Sequence, residues 1–213
     1  MDAAQSLPLV RHQWALSLAF LVAGILVFPL DVRIATAFTG DRSRSMSEFL
    51  EVCEVFGHGF GATLILIAVV VLTPFQWRRL PWLIIGSLGS GMAANLVKLC
   101  IPRTRPRDFD LTSGTVWETF IRTQGDSHSM QSMPSSHTAT AVGLAIVLAT
   151  LYPRGRYYFL ILALLVGFQR IATQAHFPSD VCAGAVVGCV VGICSASLLH
   201  PGPVTRPLPV SSD

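Results

Sequence analysis

The sequence predicts an all-α, polytopic membrane protein: a six-transmembrane-helix bundle forming one domain over residues 1–213. Three observations carry that reading. The 213-residue chain is 52% hydrophobic and only 13% charged, about half the charged share of a soluble domain. Its apolar residues gather in six runs, at 14–30, 57–73, 82–101, 135–152, 157–175 and 181–199. Each run approaches the roughly 17–25 residues that a helix needs to cross the hydrocarbon core. Aromatic residues flank several of them (Trp14, Trp77, Trp82, Tyr152, Tyr157 and Tyr158), as at a membrane interface. Backbone in lipid has to satisfy its own hydrogen bonds, so these runs are helices.

Taken in order, the first run has a second reading as a cleaved leader. Arg11 flanks it and Ala35, Thr36 and Ala37 resemble a cleavage site. Asp31 and Arg33 stand between run and site, and this favours a retained helix. An even number of spans places both termini on one side, together with tight turns carrying Arg78, Arg79, Arg154 and Arg156. Basic residues concentrate in short cytoplasmic loops. The expectation is therefore a bacterial inner-membrane protein with cytoplasmic termini and its longer loops on the outer face, although Arg33, Arg42, Arg44, Arg103 and Arg107 lie on that outer side. The last run carries Gly184, Gly188 and Gly192, a small-residue ridge for close helix packing. The tail at 201–213 has four prolines and reads as a disordered end. The five cysteines show no metal-ligand spacing and read as packing residues. A net charge of +3 points to no nucleic-acid partner.

Ionisable residues at membrane depth are costly and call for an explanation. Three clusters stand out: Lys98 with Arg105 and Pro106; Pro134, Ser135, Ser136 and His137; and Arg170, His176 and Asp180. Six alternating spans place all three on the same membrane face. Lys98, Arg105 and Arg170 repel one another unless an anion neutralises them, and a phosphate dianion matches arginine forks. Ser135 and Ser136 after Pro134 read as a capped helix start whose N–H groups face an anion. His176 and Asp180 lie four residues apart with Pro178 at the first helical position between them. Asp180 is then placed to accept from one ring nitrogen of His176, leaving the other to attack phosphorus. His137 is placed to act as general acid and then to activate water. With three cations to stabilise the charge, no metal or other cofactor is called for.

This set resembles the type 2 phosphatidic acid phosphatase superfamily, which includes the vanadium haloperoxidases. The family pattern is K-x6-RP, then PSGH, then SR-x5-H-x3-D. Here it reads Lys98 to Arg105 and Pro106; Pro134, Ser135, Ser136 and His137; then Gln169, Arg170, His176 and Asp180, with all spacings in agreement. The resemblance implies phosphate binding by Lys98, Arg105 and Arg170, attack by His176 oriented by Asp180, and acid catalysis by His137. Two positions depart from the pattern: Ser136 replaces the glycine and Gln169 replaces the serine, which weakens one phosphate contact. The implied substrate is a lipid phosphate reached from the bilayer: phosphatidic acid, phosphatidylglycerol phosphate, a polyprenyl diphosphate or lipid A, with polyprenyl and glycerolipid phosphates leading. A vanadate-dependent haloperoxidase and a non-enzymatic lipid-binding or transport protein are the competing readings. The sequence is silent on oligomeric state.

Other polar features read as structural. Glu48, Glu51 and Glu54 suggest a solvated helix face. Arg103 and Arg107 read as solvated loop residues. His58 reads as lying outside the site. Residues 111–131, with Trp117 and Phe120, suggest a short interfacial helix over the site.

Overall fold

A computed structural model describes residues 3–121 and 129–199, the side chains of 3–13 and 74–76 excepted. The tail at 201–213 and part of the 111–131 segment lie outside the described residues. Among the described residues the chain forms nine α-helices and no extended sheet. They are α1 (Ala3–Val27), α2 (Asp31–Thr36), α3 (Arg44–Glu54), α4 (Gly59–Leu72), α5 (Leu80–Ile84), α6 (Ser90–Lys98), α7 (Ser136–Leu151), α8 (Arg156–Ala172) and α9 (Pro178–Leu198). A π-turn over Ile85–Gly89 joins α5 to α6.

Four helical stretches are long and apolar enough to cross a membrane: Trp14–Thr36, Trp77–Lys98, Pro153–Ala172 and Pro178–Leu198. A fifth arises if α3 and α4, bent by 56° at their junction, count as one span. Of the expected six spans, four pass by length and composition, or five with the bent pair. The expected fourth span, α7, is apolar but only 16 residues long. Its position explains this. Eleven of its residues, Thr138 to Leu148, are buried, so α7 is walled by other helices and meets little lipid. The expected fifth span ends at Ala172, short of residue 175, because the chain must reverse to bring His176 inward.

Small residues set the spacing of the bundle. Lipid tails are as apolar as leucine, so close packing rather than hydrophobic transfer holds such helices together. The expected glycine ridge of α9 does this against α7. A Cβ on Gly184 would lie 2.3 Å from the Ser135 carbonyl oxygen, and one on Gly188 would lie 2.6 Å from that of Ala139. On the other side of α7, a Cβ on Gly143 would lie 2.0 Å from the Gly86 carbonyl oxygen in the π-turn. Leu83, Leu144, Val147, Val166 and Ile193 fill the remaining core. Of the cysteines expected to pack, Cys189 is buried in this core, whereas Cys100 and Cys194 are exposed on the bundle surface.

Helix ends, not helix middles, bring the polar residues together. The C-terminal ends of α6 and α8 (Lys98, Arg170) gather with the N-terminal ends of α7 and α9 (His137, Asp180), beside Asp31 and Glu54. Arg78, Arg79, Arg154 and Arg156 fall in the turns at the other helix ends, where Thr73 and Tyr152 hydroxyls meet at 3.2 Å.

Candidate active site

Gln174 positions the histidine at the centre of the site. After α8 it adopts φ 56°, a left-handed conformation uncommon for a residue with a side chain. The reversal lets both Ala175 and His176 donate backbone N–H groups to the Arg170 carbonyl, at 3.1 and 3.2 Å. Helices commonly end this way, more often with glycine. The His176 ring is thereby carried inward and is 2% exposed.

One contact assigns its tautomer. His176 Nδ1 lies 2.7 Å from the Ser132 carbonyl oxygen. A carbonyl only accepts, so Nδ1 carries the proton and Nε2 keeps its lone pair. Burial, reinforced by Lys98, Arg105 and Arg170, holds the imidazole well below the ordinary histidine range and keeps it neutral. A neutral ring with a free lone pair among three cations is suited to attack an anionic phosphoryl group.

The expected direct bond from His176 to Asp180 is replaced by an arrangement through Ser132. Asp180 Oδ2 is 4.0 Å from His176 Nδ1. That oxygen instead accepts from Ser132 Oγ at 2.6 Å and from the Phe177 N–H at 2.9 Å, the latter at the start of α9. Ser132 thus holds the histidine by its carbonyl and the carboxylate by its hydroxyl. Asp180 anchors the residue that orients the ring.

The other oxygen of Asp180 leads to a residue read wrongly from sequence. Arg103, expected to be solvated, is fully buried. Its Nη1 donates to Asp180 Oδ1 at 2.5 Å and to Ser179 Oγ at 2.8 Å, and its Nη2 donates to Asp31 Oδ2 at 2.7 Å. Its Nε donates to Thr119 Oγ1 at 3.1 Å, and Phe28, Phe120 and Phe177 pack over the guanidinium. A planar fork with five donors can satisfy two carboxylates and two hydroxyls at once, which lysine cannot. Asp31, which bore on the leader reading, is an equal partner in this cluster. The segment expected as an interfacial helix over the site contributes a short 3-10 turn, Val116–Phe120, that braces Arg103.

The remaining expected residues surround this centre. Ser135 caps α7, its Oγ accepting from the Thr138 N–H at 3.4 Å and from the Thr138 hydroxyl at 3.0 Å. Lys98 Nζ donates to Ser136 Oγ at 3.3 Å. Arg105 is buried in the loop after α6, where burial and the neighbouring Arg107 and Arg170 lower the affinity of its guanidinium for a proton. Arg170 Nε is buried with no hydrogen-bond partner among the described residues, a donor directed at no protein acceptor.

Glu54 departs from expectation as well. It was read as part of a solvated face, but Oε1 accepts from Arg170 Nη1 at 2.6 Å and lies 3.2 Å from His137 Nε2. Its Oε2 accepts from Gln169 Nε2 at 3.0 Å. Gln169, the departure from the family pattern, therefore holds a carboxylate. His58, read as outside the site, has its ring 5.6 Å from that of His137.

The chain resembles known proteins in sequence and in fold. A 110-residue stretch, 50% of the chain, is 36% identical to a lipid A 1-phosphatase of Rhizobium johnstonii. That match spans 42% of the relative's own length. Two solved structures share the fold. LpxE of Aquifex aeolicus aligns with a TM-score of 0.57 at 21% identity, over 79% of this chain and 95% of that one. A transmembrane PAP2 type phosphatidylglycerolphosphate phosphatase of Bacillus subtilis aligns with a TM-score of 0.65 at 18% identity, over 87% and 94%. The family model of the PAP2 superfamily matches residues 79–201, a stretch that holds Lys98, Arg105, His137, Arg170, His176 and Asp180. With its apolar helices and its clustered motif residues, the chain is an integral membrane protein that belongs to the PAP2 superfamily.

Proposed function

We propose that this protein is a lipid phosphatase that works through a phosphohistidine on His176. The observation that carries the reading is the assigned tautomer: Nδ1–H is held by Ser132, so Nε2 is a lone pair set among Lys98, Arg105 and Arg170. In the first step Nε2 bonds to phosphorus as the phosphorus–oxygen bond to the lipid breaks, and the departing oxygen takes a proton from His137. In the second step His137 accepts a proton from water, the water oxygen displaces Nε2 from phosphorus, and inorganic phosphate leaves. Lys98, Arg105 and Arg170 stabilise the charge on the phosphoryl oxygens in both steps. Ser136 and the N–H groups at the start of α7 add donors.

A lipid substrate fits the surroundings. An apolar cleft of about 340 Å³ runs between α1 and α9, lined by Phe20, Leu21, Gly24, Ile25, Phe28, Met133 and Ser179. Met133 and Ser179 adjoin Pro134 and Asp180, so a hydrocarbon chain in the cleft would keep its headgroup near the cations. Because two relatives are named lipid A 1-phosphatase, the phosphate of lipid A is the first headgroup to test, ahead of phosphatidylglycerol phosphate, phosphatidic acid and polyprenyl diphosphate. The arginine-bearing turns at the opposite helix ends support an outer-face site with cytoplasmic termini.

The test is phosphate release from these four lipids by detergent-purified protein with EDTA present, beside His176→Ala. The expected result is release without added metal that falls at least about ten-thousandfold in the variant, as when a nucleophile is removed. No release from any lipid would turn the reading towards a non-enzymatic pocket. Bound vanadium with peroxidase activity would turn it towards the haloperoxidases.

A further inference from the structure

We infer that Glu54 is a positioning residue for the general acid: its carboxylate orients the His137 ring and so directs which ring nitrogen delivers the proton. The inference rests on the phosphatase reading above. Four charged or titratable groups face the His137 ring: Glu54 from α3, His58 at the start of α4, Lys98 from α6 and Arg170 from α8. Glu54 is the one anion among them. Burial, Arg170, His58 and Lys98 disfavour an imidazolium here, and the Glu54 carboxylate offsets part of that cost.

The geometry goes beyond proximity. Glu54 Oε1 is shared between Arg170 Nη1 and His137 Nε2, while Oε2 is held by Gln169 Nε2. The two anchors on neighbouring residues of α8 fix the plane of the carboxylate, which then presents one oxygen to the imidazole. The backbone is fixed too. A Cβ on Gly57, at the α3–α4 junction, would lie 2.5 Å from Val166 Cγ1 and 2.7 Å from the His137 carbonyl oxygen. Glu54 is thus carried on a joint seated directly against the residue it serves. A carboxylate 3.2 Å from Nε2 favours the hydrogen on that nitrogen, so the proton delivered to the departing lipid oxygen is the one on Nδ1. After delivery the neutral ring takes a proton from water at Nδ1 and returns to its starting form. Gln169 then serves to secure this carboxylate, a role the family's serine is too short to fill in the same way.

The test uses the full chain in detergent and two substrates, the lipid phosphate it hydrolyses fastest and p-nitrophenyl phosphate, whose leaving group needs no proton. Glu54→Gln is expected to lower kcat on the lipid about a hundredfold, the scale of general acid catalysis, and on the aryl phosphate less than about tenfold. It is also expected to move the alkaline limb of the lipid profile about one pH unit lower, with Glu54→Asp recovering part of both losses. Equal losses on both substrates with an unmoved limb would overturn the inference. So would a lowered KM with tighter inhibition by inorganic phosphate, which would mark Glu54 as an occupant that substrate displaces. Absence of His176-dependent release by the wild-type protein would overturn the phosphatase reading and this inference with it. Wild-type release beside an unchanged Glu54→Gln profile would overturn this inference alone.

Discussion

Two charged clusters lie at the same end of the bundle and differ in access to solvent. Asp31, Arg103 and Asp180 have fully buried side chains, and each carboxylate has serine or backbone partners besides the arginine. Glu54, Arg170 and His137 keep 32%, 10% and 27% of their side-chain surface exposed. The closed cluster ties α2, the 103–105 loop and α9 together behind His176. The open cluster borders a polar pocket of about 300 Å³ lined by Arg42, Glu51, Glu54, Arg107, Gln169 and Arg170, among others. Under the proposed mechanism the difference separates scaffold from reaction face. Charges that must never move are sealed and fully paired, whereas charges that must exchange partners with a substrate stay within reach of it.

The largest expected effect breaks the closed side. Arg103→Ala leaves two buried carboxylates without their cation and should cost about 3–5 kcal/mol of stability. Thermal or denaturant unfolding in detergent measures it, and a loss below about 1 kcal/mol would show the cluster to be no scaffold. Next comes the open side. Arg170→Lys keeps the charge but loses the fork, and should lower kcat/KM about thirtyfold, equivalent to about 2 kcal/mol for a hydrogen bond to a charged group. Its unfolding midpoint should stay near that of the wild type. A third test concerns pH. His176 is held well below its reference value of 6.5, so it stays unprotonated as pH falls through that value and is lost as a nucleophile only below it. The acid limb of kcat/KM, corrected for ionisation of the substrate, should therefore lie below pH 6.5; a limb at or above it would contradict the buried neutral ring. The smallest effect is Ser136→Gly, which restores the family residue and removes the 3.3 Å contact to Lys98 together with one proposed hydroxyl donor to the phosphate. Activity should stay within about threefold, consistent with one weak hydrogen bond.

The motif residues were legible because their spacing is diagnostic as a set, and the helix runs were legible from apolar length. The partners of those residues were not. Arg103 next to Thr104 and Arg105 looks like any loop arginine; its meaning lies in Asp31 and Asp180, 72 and 77 positions away. Ser132 acts partly through its backbone carbonyl, which every residue has. The acidic face of α3 was right in part: Glu48 pairs in solvent with Arg44 at 2.8 Å. Each three-residue step on a helix falls about 60° short of a full turn, so two steps carry Glu54 about 120° round, to the inner side. Length and composition alone pass four or five spans, not six, for a similar reason. Composition reports that α7 is apolar, whereas its being surrounded by protein, which permits 16 residues, is a property of the assembled bundle.

The most direct test of the central claim is to trap the covalent intermediate. The His137→Ala variant should form it from p-nitrophenyl phosphate, whose leaving group needs no acid, and hydrolyse it slowly for want of a base to activate water. Rapid quench and peptide mass spectrometry should then find an acid-labile phosphoryl group on His176 that is absent from the His137→Ala/His176→Ala double variant. A phosphoryl group on another residue, or none while His176-dependent turnover continues, would contradict attack by His176.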